Sequence, residues 1–244
     1  MTLLQHCIVP DWPAPANVKA LQSTRKGGAS AEPYNSFNLG SHVGDNPLVV
    51  NRNRMQLANL MPSEPVWLNQ VHGVTVVDAG QAGCLPEADA IVSMYRGAVC
   101  VVMTADCLPV LLCDDKGSVV AAAHAGWRGL CDGVLEATVK EMKVPATTLL
   151  AWLGPAIGPA GFEVGEEVRA AFIAKQPEAE AAFVPGNPGK WLADIYQLAR
   201  LRLYALGIQR IYGGDLCTLS DAERFYSYRR DGVTGRMGTF VWLS

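Results

Sequence analysis

The chain has 244 residues, half of them apolar and 18% charged, with a formal net charge of −3. That balance suits one folded domain with a sizeable core and excludes a disordered chain. The mild acidity, with no basic run and no finger-like Cys/His spacing, excludes the electrostatic footprint of a nucleic-acid binder. No stretch of about 18 apolar residues is present, so no membrane span is expected. The first residues lack the basic, apolar and small-residue segments of a secretory signal. Seven cysteines make an odd number, and Cys100 and Cys113 sit inside apolar runs. Reduced thiols and a cytoplasmic address are the expectation.

In chain order, residues 18–24 read as a strand. A loop over 25–47, rich in Gly, Ser, Asn and Pro, follows; a loop of that length in a compact domain is usually functional. Asn46-Pro47 starts a helix through residue 60, since proline is tolerated in a first turn. Residues 66–69 and 74–78 read as strands on either side of His72-Gly73, and 88–94 as another. Three apolar runs, 98–104, 108–113 and 118–124, read as strands buried on both faces. A helix over 130–143 places Cys131, Val134, Leu135, Thr138 and Met142 on one side. A strand over 149–153 runs into the irregular Gly154-Pro155-Ala156-Ile157-Gly158-Pro159. Residues 164–174 and 194–206 read as helices, the second with Ile195, Leu198, Leu201 and Ala205 inward. Residues 208–212, 225–228 and 237–243 read as closing strands. The mixed order predicts an α/β protein with a large central β layer and helices outside it.

Three residues carry most of the chemistry: His72, Cys107 and His124. Two imidazoles and a thiol with no obvious fourth partner match a zinc site that keeps one position open, which is a catalytic arrangement. Cys107 lies in Asp106-Cys107-Leu108-Pro109, at a break between apolar segments, and reads as a ligand or nucleophile. Cys100 and Cys113 read as small hydrophobes instead. His124 ends an alanine-rich strand, and Gly126-Trp127-Arg128-Gly129 leads into a helix, a plausible place for phosphate or carboxylate. The plainer alternative for His124 is a satisfied core histidine. The spacing His72-x34-Cys107-x16-His124 is too long for a finger, so the fold must assemble the site. Arg25 and the pair Arg229-Arg230 suit anions through their guanidinium forks, and equally suit surface salt bridges with neighbours such as Asp231. Tyr228 can stack on a flat ring or belong to the core. Walker, dinucleotide-binding, zinc-deaminase and G-x-S-x-G signatures are all absent.

A resemblance runs nearly end to end. It is carried by Ser23-Thr24-Arg25-x-Gly27-Gly28, Pro33-Tyr34-x-Ser36-x-Asn38-Leu39-Gly40, Gly44-Asp45 and Val71-His72-Gly73. Thr104-Ala105-Asp106-Cys107-Leu108-Pro109, His124-Ala125-Gly126-Trp127-Arg128-Gly129, Gly154-Pro155-Ala156-Ile157-Gly158 and Ser227-Tyr228-Arg229-Arg230-Asp231 complete it. On these residues the sequence resembles the laccase-like family labelled multicopper polyphenol oxidase, whose members are also called peptidoglycan editing factor or purine nucleoside phosphorylase. The resemblance implies one α/β/β/α layered domain over 1–244, related to cysteine hydrolases, with zinc on His72, Cys107 and His124. It implies phosphorolysis of adenosine, inosine and methylthioadenosine, deamination of adenosine, copper-dependent polyphenol oxidation, or removal of a misplaced serine from a cell-wall precursor.

Four histidines cannot furnish several imidazole-rich copper sites, which counts against a multicopper oxidase; zinc is the expected ion and copper the alternative. A single open zinc suits deamination. For phosphorolysis the candidates to hold phosphate are Arg25, Arg128 and Arg229, with Asp106 or Asp45 as acid or base. The expected partners are small molecules, purine nucleosides and phosphate, with neither nucleic acid nor membrane. Two rival readings remain: an amidohydrolase with Cys107 as nucleophile and His124 or His72 as base, and a non-catalytic zinc- or ligand-binding module.

Overall fold

The structure is a computed structural model that describes residues 3–244. The chain opens with β1 (Cys7–Ile8), β2 (Val18–Ser23), α1 (Pro47–Ala58), β3 (Val76–Asp78) and β4 (Ala90–Ser93). The central run is β5 (Val99–Thr104), β6 (Leu108–Asp114), β7 (Val120–Ala125), α2 (Trp127–Asp132), α3 (Val134–Met142) and β8 (Leu149–Leu153). The last third holds β9 (Glu163–Gly165), α4 (Glu166–Lys175), β10 (Phe183–Pro185), β11 (Lys190–Ala193), α5 (Ile195–Ala205), β12 (Arg210–Gly213), α6 (Tyr228–Asp231) and β13 (Met237–Leu243).

Two sheets stack face to face. One is ordered β1-β2-β13-β5 and the other β12-β8-β6-β7-β4-β3; a small third sheet runs β10-β11-β9. The three apolar runs become β5, β6 and β7, every residue of which is buried. Alternation along each strand explains this, because successive side chains enter different layers. Cys100, Val102, Leu111, Cys113, Val120 and Val241 pack between the sheets. Val99, Val101 and Met103 turn the other way, to Leu57 of α1 and to Phe37 and Leu39. Val110, Leu112 and Ala123 face Leu130, Leu135, Phe172 and Leu198 from the helices of the opposite flank. The order of layers is therefore α/β/β/α, as the resemblance implied.

Although consecutive, β5 and β6 belong to different sheets. The three residues Ala105, Asp106 and Cys107 carry the chain across the gap, and Asp106 makes the corner at φ 91°. That corner puts Cys107 at one end of the sandwich.

Several expected elements differ. The helix expected over 130–143 is two helices, broken at Gly133, which sits at φ 105°, a left-handed conformation that glycine adopts cheaply. Residues 225–228 are not a strand. Phe225 and Tyr226 are fully buried, but the Ser227 hydroxyl accepts from the Arg230 N–H and caps α6. Residues 66–69 make only single bridges, Val66 to Cys100 and Asn69 to Glu87. The helix expected from 164 is preceded by β9, and β10 and β11 form a ribbon that periodicity does not reveal in segments this short. All seven cysteines are free. Among the described residues no helix is long and apolar enough to cross a membrane.

Leu111 is completely buried between the two sheets. Leu111→Ala should lower the free energy of unfolding by about 2–5 kcal/mol, read as a drop in the urea midpoint with an unchanged slope.

Candidate metal centre

Cys107 ends the crossover between sheets, and His124 lies near the end of the adjacent β7, paired in register with Pro109. His72 comes from the loop before β3. The ligand atoms of all three lie within 4.8 Å of one another. The His72 Nε2 is 3.7 Å from the Cys107 Sγ, and the two imidazoles meet edge to face at 76°. Sulfur and nitrogen donors on a tetrahedral zinc sit roughly 3.6 Å apart, so this pair is spaced for a shared ion. His124 is 3% exposed, whereas His72 is exposed and Cys107 half-buried, so one side of the cluster opens outward. The donor set fits a zinc ion with one open position.

Asp89, which sequence reasoning missed, organises the cluster. Its carboxylate is fully buried and accepts from the His124 Nδ1 at 2.8 Å. It also accepts the backbone N–H groups of His72 at 2.9 Å, Gly73 at 2.7 Å and Val71 at 3.2 Å. Burial pushes its pKa up, but the hydrogen bonds from His124 and from the backbone outweigh that and hold it below the usual range. A carboxylate behind a ligating imidazole fixes which nitrogen faces the metal. The one signal in the sequence was a lone acid inside an apolar strand, Ala88-Asp89-Ala90-Ile91.

The glycines of the His124 segment now have a mechanical account. A Cβ at Gly126 would lie 2.8 Å from the His72 ring and 3.1 Å from the Cys107 sulfur. One at Gly129 would lie 2.7 Å from the Gly73 carbonyl oxygen. Both glycines let the 71–73 turn press against the start of α2. His72 itself sits at φ 62°, an uncommon conformation for a side-chain-bearing residue that the Asp89 bonds hold in place.

Burial opposes ionisation of Cys107, yet the neighbouring His124 and His72 win and bring its pKa down from 9.0 to about 6. Burial likewise lowers that of His124, but Cys107 and Asp89 raise it from 6.5 to about 9. A thiolate is thus the resting form at neutral pH. At Cys7 and Cys113 burial prevails and raises the pKa to about 11 and about 12.

Two cavities meet at the cluster and share His72, Ala105, Cys107 and Tyr228 as a common wall. One, of about 250 Å³, is walled by Trp127, Ile157, Phe162 and Ile195, with Arg128, Arg229 and Asp106 at its polar points. The other, of about 390 Å³, is polar, with His42, Gln70, Thr104 and Arg236.

The sequence-derived candidates fare differently within this geometry. Arg128 is exposed, lies over the Trp127 ring at 4.6 Å and makes no hydrogen bond or ion pair among the described residues. Arg229 also reaches the first cavity, but its guanidinium donates to the Glu163 and Gly161 carbonyls. Arg25 lies elsewhere: it donates to Asn35 and Ala222 and covers the Tyr226 ring, so the fold does not bring it to the cleft. Asp106 reaches the cleft with both oxygens occupied, accepting from the Thr218 hydroxyl at 2.6 Å and the Arg229 N–H at 2.7 Å. Asp45 is tied to Ser30, Asn38 and the Asn46 N–H. Gln70, His42, Thr104 and Arg236 were missed, because a motif shows residue types and not which loops converge.

Fold and site together define a layered α/β protein with a metal-capable centre of one thiolate and two imidazoles at the junction of two stacked sheets. Residues 19–244 match the family described as multi-copper polyphenol oxidoreductase laccase, and the chain belongs to it. It is 57% identical to a purine nucleoside phosphorylase of Pseudomonas aeruginosa, over 97% of this chain and 98% of that one. It is also 57% identical to the purine nucleoside phosphorylase YfiH of Escherichia coli, over 98% and 100%. A crystal structure of a Neisseria meningitidis protein superposes with a TM-score of 0.95 at 52% identity, covering 98% of this chain and 99% of that one.

Replacing the buried carboxylate in Asp89→Asn should weaken zinc binding about 10–100-fold in a chelator competition titration. In metal-free protein, alkylation of Cys107 should rise with pH through a midpoint near about 6 and level off above it, followed by peptide mass spectrometry. A midpoint near 9 would mean that the histidines do not hold the thiolate.

Proposed function

We propose that this chain is a zinc-dependent purine nucleoside phosphorylase with adenosine deamination as a side activity. The observation that carries the reading is the double cavity at the thiolate–imidazole cluster, with an aromatic lobe and a polar lobe meeting at Cys107. The names borne by relatives at 57% identity support it.

His72, Cys107 and His124 would hold the zinc, which supplies an open Lewis-acid position for a water or a substrate oxygen. Trp127, Phe162 and Ile157 offer apolar walls to a flat purine, with the Arg128 guanidinium at the rim. Tyr228, 61% exposed, stands between the lobes and can cover a bound ribose. In phosphorolysis an oxygen of monohydrogen phosphate bonds to the ribose C1′ as the bond to the purine nitrogen breaks. The bonding pair leaves with the purine, which gains the proton that phosphate carried. Adenosine, inosine and methylthioadenosine share the groups this needs. In deamination water replaces the 6-amino group, which departs as ammonia. Asp106, with both oxygens engaged, holds the corner and anchors Arg229 rather than moving a proton. Seven unpaired cysteines support a cytoplasmic setting. One group of three potential ligands is found among the described residues, which favours a single ion over a multicopper array.

One observation favours a second reading. Asp89, His124 and Cys107 line up as acid, imidazole and thiolate, the order of a cysteine hydrolase, here one acting on a cell-wall precursor. In that reading the Cys107 thiolate adds to an amide carbonyl carbon as the C=O π pair moves to oxygen. The C–N bond then breaks with the amine taking a proton from His124, water releases the acyl group from sulfur, and zinc has no part.

Metal-replete protein incubated with adenosine and inosine, with and without phosphate, should release free base and ribose 1-phosphate only when phosphate is present, resolved by chromatography. Absence of phosphate-dependent base would remove the phosphorylase; a covalent substrate adduct on Cys107 of metal-free protein would install the hydrolase in its place.

A further inference from the structure

None of the arginines that the sequence offers for phosphate lies in the polar lobe. Arg128 and Arg229 line the aromatic lobe, where Asp106 also stands. The polar lobe instead carries Arg236 and His42, and among the described residues no carboxylate lines it. Three further observations concern its walls.

The hydroxyl of Thr104, a residue 2% exposed, has no hydrogen-bond partner among the described residues. Buried hydroxyls are normally satisfied, so an unpaired one lining a cavity marks a place for a ligand atom. Arg236 is half-buried, and only one of its terminal nitrogens is engaged, donating to the Thr234 and Gly235 carbonyls. Its other two guanidinium nitrogens make no hydrogen bond among the described residues. A guanidinium so placed presents free N–H groups to an oxyanion. Besides Arg236, the Arg54 guanidinium acts electrostatically on His42, so two guanidinium charges border the lobe.

The third observation is how Arg236 is held. Its N–H donates to the Asn38 Oδ1, and a Cβ at Gly40 would lie 2.8 Å from its side-chain stem. Asn38 in turn donates to Asp45, and the Asn53 amide donates to the Asn38 carbonyl. The Ser36-x-Asn38-Leu39-Gly40 and Gly44-Asp45 motifs, which the metal centre leaves unexplained, thus build the seat of Arg236, and the same loop delivers His42.

We propose that the polar lobe is the oxyanion subsite, in which Arg236, His42 and the Thr104 hydroxyl hold inorganic phosphate beside Cys107 while the nucleoside occupies the aromatic lobe. The inference rests on the phosphorolytic reading above. It assigns the attacking group to one side of the Cys107–Tyr228 wall and the leaving purine to the other.

The test uses full-length, zinc-loaded protein, with Arg236→Gln, Thr104→Val and Arg128→Gln variants each first shown to retain the parent's zinc content and thermal midpoint. Inorganic phosphate is titrated by phosphorus NMR, and adenosine 5′-monophosphate in parallel. Phosphate affinity should fall at least about 10-fold in Arg236→Gln and about 3-fold or more in Thr104→Val, and stay within about 2-fold in Arg128→Gln. In kinetics, Arg236→Gln should raise the KM for phosphate by a similar factor with little change in the KM for inosine, and Arg128→Gln should do the reverse. Phosphate binding that survives Arg236→Gln, or that is lost in Arg128→Gln, overturns the assignment while leaving phosphorolysis standing. Binding of the monophosphate through Arg236 without binding of free phosphate also overturns it, because the lobe then reads a substrate ester. A parent enzyme that neither binds phosphate nor uses it sinks the phosphorolytic reading itself.

Discussion

A single buried carboxylate holds the centre together. Asp89 accepts from the His124 imidazole on one side and from three successive backbone N–H groups of the turn bearing His72 on the other. His72 and His124 are far apart in sequence, and among the described residues no hydrogen bond joins their segments directly, so Asp89 is the link. A buried charge is costly unless fully paired, and here four donors pair it. The same contacts that make the charge tolerable orient two of the three members of the cluster. Stability and ligand geometry are one feature, not two.

Around that carboxylate the fold uses irregular backbone in a few defined places. The chain passes between stacked sheets at Asp106, and the turn at His72 is left-handed. Both corners bring a side chain to the end of the sandwich, where strands stop and loops from several elements converge. Gly126 and Gly129 supply the clearance that lets the corners approach α2. Asp106 then ties the crossover to Thr218 and to the start of α6, so the wall bearing Tyr228 is fixed to the residue beside Cys107.

The chemistry follows from how the cluster is set into the cleft. His124 and His72 beside the sulfur hold Cys107 as a thiolate, a form that suits a metal ligand or a nucleophile. Which of these it is depends on the metal, and the Asp89–His124 pair serves both. The aromatic and polar lobes give the cluster two neighbours of opposite character, one suited to a flat ring and one to an anion. The family's name implies several coppers, whereas the described residues offer one three-residue donor group.

The sequence by itself determined the strands that matter most. The uninterrupted apolar runs of β5 to β7 announced burial on both faces, and the expected boundaries of 149–153 and 237–243 coincide with β8 and β13. It also named all three members of the donor cluster, because histidines near glycines and a cysteine at a break between apolar runs are rare enough to stand out. Short elements escaped: β10 and β11 are too brief for periodicity, and the apolar Phe225-Tyr226 pair imitated a strand where buried loop packing was the cause. The partners of the centre escaped as well. Asp89 lay hidden at the start of an apolar run, Arg25 proved to be a brace for Asn35 and Tyr226, Arg236 carried no motif, and Thr104 opened one without standing out in it. Local pattern records which side chains a segment must bury, and so fixes the strands. Which polar groups meet across the end of a two-sheet stack depends on contacts between residues far apart in the chain, and only the assembled layers set those.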